Sequence, residues 1–406
     1  MQRHLRLPLA LAAAVVVAEA AVLLLRPRGG VIPPVEVPVQ AYFSAAEVAR
    51  AEAFRGPQAA LYALSTAIEL GVLVLAVRRP PAWLRGARRP VLAGAAAGAL
   101  LSLATSVAPL PVGAISRQRA IDVGLVTQSW AGWAGDLVRS WGIGAAIAAA
   151  GGAFAVVLLR RAGQRWWIPA SAVVVAFGAV ITYAGPVVLD PIFNRFEPLP
   201  AGRTRSDVLD LARRAGVDVG EVYVVDASRR TTSANAYVTG LGRTKRVVLY
   251  DTLLEQDRRD PFTRVEVRLV VAHELGHVHF RDVPHGLLFL ALVAPAGMFA
   301  VARLAERLGP STGAGAIPPL ALALALVVPV VSTVSLQLSR RIEARADSFA
   351  LRLTDAPEPF IDFERRIALR NVADPDPPGW RTALLGTHPP TLERIGAAIA
   401  YQRGAR

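Results

Sequence analysis

The chain has 406 residues, 53% of them hydrophobic, and a mean hydropathy of +0.40, too apolar for an ordinary soluble domain and indicative of a membrane protein. Its formal charge of +14 is scattered through short connections, almost all of it arginine with Lys245 the sole lysine, so no basic patch with aromatic platforms argues for nucleic acid. The absence of cysteine excludes a disulfide framework and any thiolate metal site.

Seven apolar segments approach the ~20 helical residues needed to cross a hydrocarbon core: 7–25, 59–77, 91–115, 141–159, 167–189, 286–302 and 316–338. Trp141, Trp166 and Trp167 fall at the ends of these predicted spans, where an indole keeps its ring in the interface and its N–H wet. The first segment also resembles a cleavable signal peptide, with Ala18-Glu19-Ala20 as the small-residue site. The apolar run resumes and reaches Leu25, which favours a retained helix. Glu19 and Glu69 lie inside predicted spans and need either a wet cavity or a place near the headgroups. Arginines flank both sides of the spans, so charge alone does not set the orientation.

Between the fifth and sixth spans lies the long polar stretch 190–285, the natural place for chemistry. There "RSDVLDLARRAG" has helical spacing and a glycine stop at Gly216, "EVYVVD" alternates as a strand, and "ANAYVT" and "RVVLYD" flank a turn-rich "GLGRTK" as a hairpin. "VEVRLVVAHELGHVHFRD" then returns to helical periodicity. After the seventh span, "SRRIEARADSFALRLT" reads as a helix whose Glu343 and Asp347, four apart, share one face. A Pro/Asp-rich loop and "THPPTLERIGAAIAYQ", a turn and a last helix, complete the chain.

The chemistry-bearing motif is "HELGH". On a helix, His273 and His277 lie one above the other and can offer nitrogens to a single ion, while Glu274 turns about 100° away, beside the ion's open position. Such an arrangement suits metal-assisted hydrolysis, in which zinc lowers the pKa of its water to ~7 and a nearby carboxylate moves the proton. A third protein ligand is needed. His4 is remote and His279 points nearly opposite to His277. Glu343 stands out among the acids because it follows two apolar spans that can return the chain to the same side. Asp347, one turn on, can accept the N–H of a ligating histidine. An exposed helix face with Arg341 and Arg345 as partners fits the same residues equally well.

The order of parts resembles the type I CAAX prenyl protease family of membrane zinc endopeptidases, related more distantly to the HtpX heat-shock proteases. The likeness runs through "AYFSAAEVARAEAFRGPQ", "DPIFNRFEPLP", "ANAYVTGLGRTKRVVLYDTLL", "HELGHVHFRD", "SRRIEARADSFA" and "GTHPPTLERI". It implies a polytopic α-helical membrane protein of seven transmembrane helices with a small α+β zincin-like catalytic domain. The implied division is a five-span region 1–189, a catalytic unit 190–285, a transmembrane hairpin 286–338 and a helical part 339–406 that completes the zinc site.

Carried over residue by residue, the resemblance makes His273, His277 and Glu343 ligands of one Zn2+ per chain and Glu274 the general base and acid. Asp347 supports a ligating histidine, Asn235 in "NAY" lies near the substrate, and His388 and Arg394 in the "HPP…ER" segment stand near the substrate carbonyl as oxyanion donors. It also implies a water-filled chamber, which would accommodate Glu19 and Glu69, and which the Ala/Gly-rich third and fourth spans permit by packing closely. The expected partners are a peptide or protein substrate, with or without a lipid, and membrane lipid, without nucleic acid. The expected place is the plasma (inner) membrane with the catalytic part cytosolic. Two other classes fit parts of the sequence: a transporter or channel with a His/Glu ion relay, and a zinc-bound inactive scaffold. Glu274→Gln separates them, since it abolishes hydrolysis with zinc retained, whereas a flux need not depend on it.

Overall fold

The computed structural model describes residues 2–240, 242, 245–254 and 261–405. Its first part is helical: α1 (Gln2–Leu25), α2 (Ala45–Arg78), α3 (Pro90–Val107), α4 (Leu110–Asp122), α5 (Trp130–Ala162) and α6 (Trp167–Val188). A short α7 (Asp190–Phe193) leads into β1 (Phe196–Pro198), α8 (Arg203–Arg214), β2 (Glu221–Val225), β3 (Ala236–Thr239), β4 (Arg246–Tyr250) and α9 (Asp251–Leu254). The motif helix α10 (Arg264–His279), α11 (Asp282–Leu308), α12 (Ile317–Thr354), α13 (Pro357–Arg370), α14 (Gly379–Leu385) and α15 (Thr391–Gln402) follow.

Seven of these helices, α1, α2, α3, α5, α6, α11 and α12, are long and apolar enough to cross a membrane, as the hydropathy predicts. Their limits differ where capping outweighs apolarity. The second begins fourteen residues before the predicted 59, because Ser44 and Glu47 close a capping box ahead of a charged but helical stretch. The third stops at Val107 instead of reaching 115. Pro109 brings no N–H and a ring that clashes with the preceding turn, so a separate α4 begins after it. The fourth starts at Trp130, capped by Ser129, whose hydroxyl accepts from Gly132 N–H at 3.1 Å, so Trp141 lies within the helix rather than at its end. α3 and α5 approach at glycines: a Cβ on Gly98 would stand 2.1 Å from the Ala148 carbonyl oxygen, and one on Gly152 2.2 Å from that of Gly94.

The predicted helix, strand and hairpin of the polar stretch are present as α8, β2 and the antiparallel pair β3–β4, with Tyr237 opposite Val248. The sheet order is β1-β2-β4-β3. β2 and β4 run parallel, Val222 beside Val247, and the three-residue β1 adds antiparallel to β2. β1 carries no alternating pattern, ending as it does in Pro198. Val222, Val247 and Leu249 are fully buried against α8 and α10, and Leu351 of α12 joins the same core, so the sheet, the motif helix and the end of the last span pack as one unit. The loop between α4 and α5 reaches this unit, bridging Val126 to Thr231, while Arg230 bonds Asp136 at 2.9 Å.

Candidate metal centre

α10 is fixed at its start by a second capping box, Thr263 with Glu266, and the buried Glu266 carboxylate accepts from Arg366 Nη1 at 2.6 and 2.7 Å. At its other end Arg281 takes a left-handed conformation, φ 57°, so the chain reverses before α11 begins. α12 runs 38 residues without interruption, about 57 Å, carrying the seventh span straight into the segment with Glu343 and Asp347. These two long elements meet at Gly276, whose missing side chain admits Phe349 and Ala346.

At this meeting the Nε2 atoms of His273 and His277 stand 3.2 Å apart. Glu343 reaches between them, Oε2 lying 3.2 Å from His273 Nε2 and Oε1 3.8 Å from His277 Nε2. Glu274 belongs to the same knot: the donor atoms of His273, Glu274 and His277 lie within 4.8 Å of one another. His388, on the turn before α15, comes down from the solvent side, Nδ1 2.8 Å from Glu343 Oε2, and remains more than half exposed. That turn is tied to α12, since Ser339 donates to the Thr387 carbonyl at 2.9 Å and Arg340 to the carbonyls of Thr382 and Gly386 at 2.9 and 2.8 Å.

Behind the imidazoles each Nδ1 has a carboxylate. His273 Nδ1 lies 2.8 Å from Asp347 Oδ1 and His277 Nδ1 2.9 Å from Asp282 Oδ2, which orients both Nε2 lone pairs into the gap. Asp282 was not expected from the sequence. It is five residues after His277, off the i, i+4 face, and only the left-handed turn at Arg281 swings it back. Its second oxygen pairs with Arg345, whose guanidinium lies 4.1 Å from the Phe280 ring centroid. The one hint in the sequence was its place at the end of "HELGHVHFRD".

Arg394 is on the same buried side. Its Nε and Nη2 bond Asp347 at 2.7 and 2.5 Å, and its Nη1 bonds Glu364 of α13 at 2.8 Å. The resemblance implies an oxyanion donor at this position; here all three guanidinium nitrogens lie within hydrogen-bonding distance of the carboxylates of Asp347 and Glu364. Glu364 is 1% exposed, and burial pushes its carboxyl up to about 7 against the pull of Arg394. Asn235 precedes β3, exposed, with its side chain turned to the Ala236 N–H at 2.9 Å rather than to the cluster.

Burial alone would lower the pKa of His273, but Asp347 and Glu343 outweigh it and hold the ring at about 10, so this place favours positive charge. Burial raises the Glu274 carboxyl, and His273 and His277 oppose it. The donor set fits a zinc ion. Two donors on a tetrahedral zinc at ~2.05 Å stand about 3.4 Å apart, close to the observed separations, and the buried Glu343 Oε2 meets no donor in hydrogen-bonding geometry. A cleft of about 480 Å3 opens beside the cluster, lined by Glu274, His277 and His279 of α10, by Val238 and Thr239 of β3, and by Tyr183 of α6.

The model of peptidase family M48 matches residues 198–402, and that of the CAAX prenyl protease N-terminal region, described as five membrane helices, matches residues 59–195. The chain belongs to peptidase family M48. Among curated relatives it is 32% identical to the "Uncharacterized metalloprotease YhfN" of Bacillus subtilis, over 73% of this chain and 71% of that one. It is 30% identical to the "CAAX prenyl protease 1 homolog" of rice, over 60% and 58%. The crystal structure of S. mikatae Ste24p superposes with a TM-score of 0.72 at 17% identity, covering 98% of this chain and 99% of that one, which establishes the shared fold. The protein is therefore a membrane-embedded M48 family metalloprotease.

Proposed function

We propose that this protein is a zinc-dependent endopeptidase that hydrolyses peptide bonds of membrane-associated or lipidated proteins. The observation that carries the reading is the convergence of His273, His277 and Glu343 from two helices beside a cleft lined by Glu274 and His277 on one side and edge strand β3 on the other. His273, His277 and Glu343 would hold the ion, one per chain. When bound, zinc supplies a water of pKa ~7 and polarises the scissile carbonyl.

The residues of the chain do the rest. Glu274, its carboxyl raised by burial, lines the cleft where it would act as general base towards an attacking water and as general acid towards the leaving amine. Asp347 and Asp282 hold the imidazoles in the tautomer that leaves Nε2 free. An extended substrate adds to the outer edge of β3, which brings its carbonyl over the cluster, and Asn235 at the start of that strand lies along the same track. His388, on the solvent side of Glu343, donates to the developing oxyanion. Arg394 is a positioning residue that acts through Asp347.

In this reading residues 1–189 and 286–338 form the membrane body, 190–285 the catalytic unit, and 339–406 the part that completes the site. The relatives named as CAAX prenyl proteases support a lipidated class of substrate, and a cytosolic site on the inner membrane accords with it. The test is cleavage of matched farnesylated and plain peptides by metal-loaded protein in detergent, beside Glu274→Gln. Activity that is lost in the variant while zinc content stays at one per chain supports the mechanism. Turnover that survives the substitution overturns it.

A further inference from the structure

A second recess lies at the same end of the helix bundle but on a different face of α12. It holds about 450 Å3 and is lined by Val22, Leu23 and Arg26 at the end of α1 and by Gln337, Arg340 and Arg341 of α12, with Glu393 of α15 its sole acidic lining residue among the described residues. Three guanidiniums therefore face one carboxyl. Arg340 donates to the carbonyls of Thr382 and Gly386 and is the cation that acts on Glu393, while among the described residues neither Arg26 nor Arg341 has a carboxylate partner. Arginines that snorkel singly from span ends are ordinary. Three that converge on one cavity, leaving two positive charges beyond what its one acid can offset, are not explained by snorkelling.

The place of the recess identifies what would fill it. Arg26 follows Leu25, the last residue of the first span, so the cavity lies where the hydrocarbon core gives way to headgroups. Leu23, half exposed, lines the same recess as the arginines and would meet an acyl chain there. Guanidinium is the side chain best shaped to grip phosphate oxygens, two at a time. Basic pockets between transmembrane helices are known receivers of anionic headgroups. We propose that the recess between α1 and α12 binds the phosphate headgroup of an anionic phospholipid.

The site has a route to the metal centre. Arg340 holds the carbonyls of Thr382 and Gly386, and Pro389, which also lines the recess, follows His388. A headgroup here would brace the turn that carries His388, coupling the lipid around the protein to the open side of its catalytic cleft. The binding itself is independent of the peptidase reading.

The test is lipid retention by the full chain, measured by native mass spectrometry after transfer from mixed phosphatidylcholine–phosphatidylglycerol nanodiscs, with inorganic phosphate as a separate competitor. The wild type should retain phosphatidylglycerol in preference to phosphatidylcholine. The pair Arg26→Gln with Arg341→Gln should weaken that retention about thirty-fold, and Arg26→Lys with Arg341→Lys should largely restore it. Zinc content and cleavage of a short peptide in detergent should not change. Equal retention of the two lipids, or no loss in the glutamine pair, overturns the proposal. So does displacement of the lipid by inorganic phosphate at comparable affinity, which would mark a free-phosphate site. A raised KM for peptide with lipid retention unaltered would overturn it in favour of a substrate carboxylate.

Discussion

The two faces of the imidazole pair are built to opposite specifications. On the buried face, Asp347, Arg394 and Glu364 form a chain of charges from three helices behind His273, and Asp282 with Arg345 stands behind His277. On the open face, Glu274 and His388 border space, and His388 is more than half exposed. Charges that have lost their water must be paired, and removing one partner strands the other. A side chain as exposed as His388 is still wet and can be removed with little effect on folding. The buried face should therefore govern stability and metal affinity, and the open face turnover.

Arg394→Ala is the most severe way to break this contrast. It leaves Asp347 and Glu364 buried without their shared cation, a type of loss that costs about 3–5 kcal/mol. Urea or thermal unfolding in detergent should show it, together with weaker zinc retention. A variant of wild-type stability would mean that the guanidinium is not a structural member. His388→Ala should do the reverse, lowering kcat by roughly 10²-fold while zinc content and unfolding stay as they are. Unchanged turnover would remove His388 from the oxyanion role. Asp282→Asn falls between the two. The amide still fills the space beside His277 but no longer favours the Nδ1-protonated tautomer, so zinc affinity should fall about 10–100-fold by chelator competition, with Arg345 still stacked on Phe280.

Legibility in the sequence follows the same division. Periodicity states which residues share a face of one helix, so His273, His277 and the position of Glu274 were readable, as were the seven apolar spans and the β3–β4 hairpin. It does not state which helices face each other. Residue spacing alone therefore leaves Glu343 and Asp347 equally compatible with an exposed face, and Arg345, a candidate partner for them, pairs across to Asp282 instead. Asp282 was hidden because a left-handed residue breaks the periodicity just before it. The resemblance puts Arg394 beside the substrate carbonyl, whereas its pairing with Glu364 depends on how α13 packs, which no periodicity in the sequence states. The span limits moved where a serine cap or a proline outweighed local apolarity.

Glu364 offers the finest probe of the buried face. Its carboxyl titrates near 7 in the folded protein against 4.5 as the ordinary value, so between these limits the native state binds a proton that the unfolded chain has released. Stability attributable to this group is thus fully present below about pH 4.5, declines as pH rises through the window, and is level again above about 7. The direction is opposite to that of a carboxylate stabilised by its ion pair. The reason is that Arg394 is already shared with Asp347, so the second buried carboxyl gains less from the cation than burial takes away. Glu364→Gln keeps the shape and a hydrogen-bond acceptor but cannot ionise. Its stability curve should therefore lose that decline, and the difference between the two proteins should grow from pH 4.5 to pH 7 in favour of glutamine. Parallel curves across the window would mean that Glu364 stays ionised throughout. Arg394 would then serve two full anions, and the chain of charges behind His273 would be a balanced network rather than one with a proton in reserve.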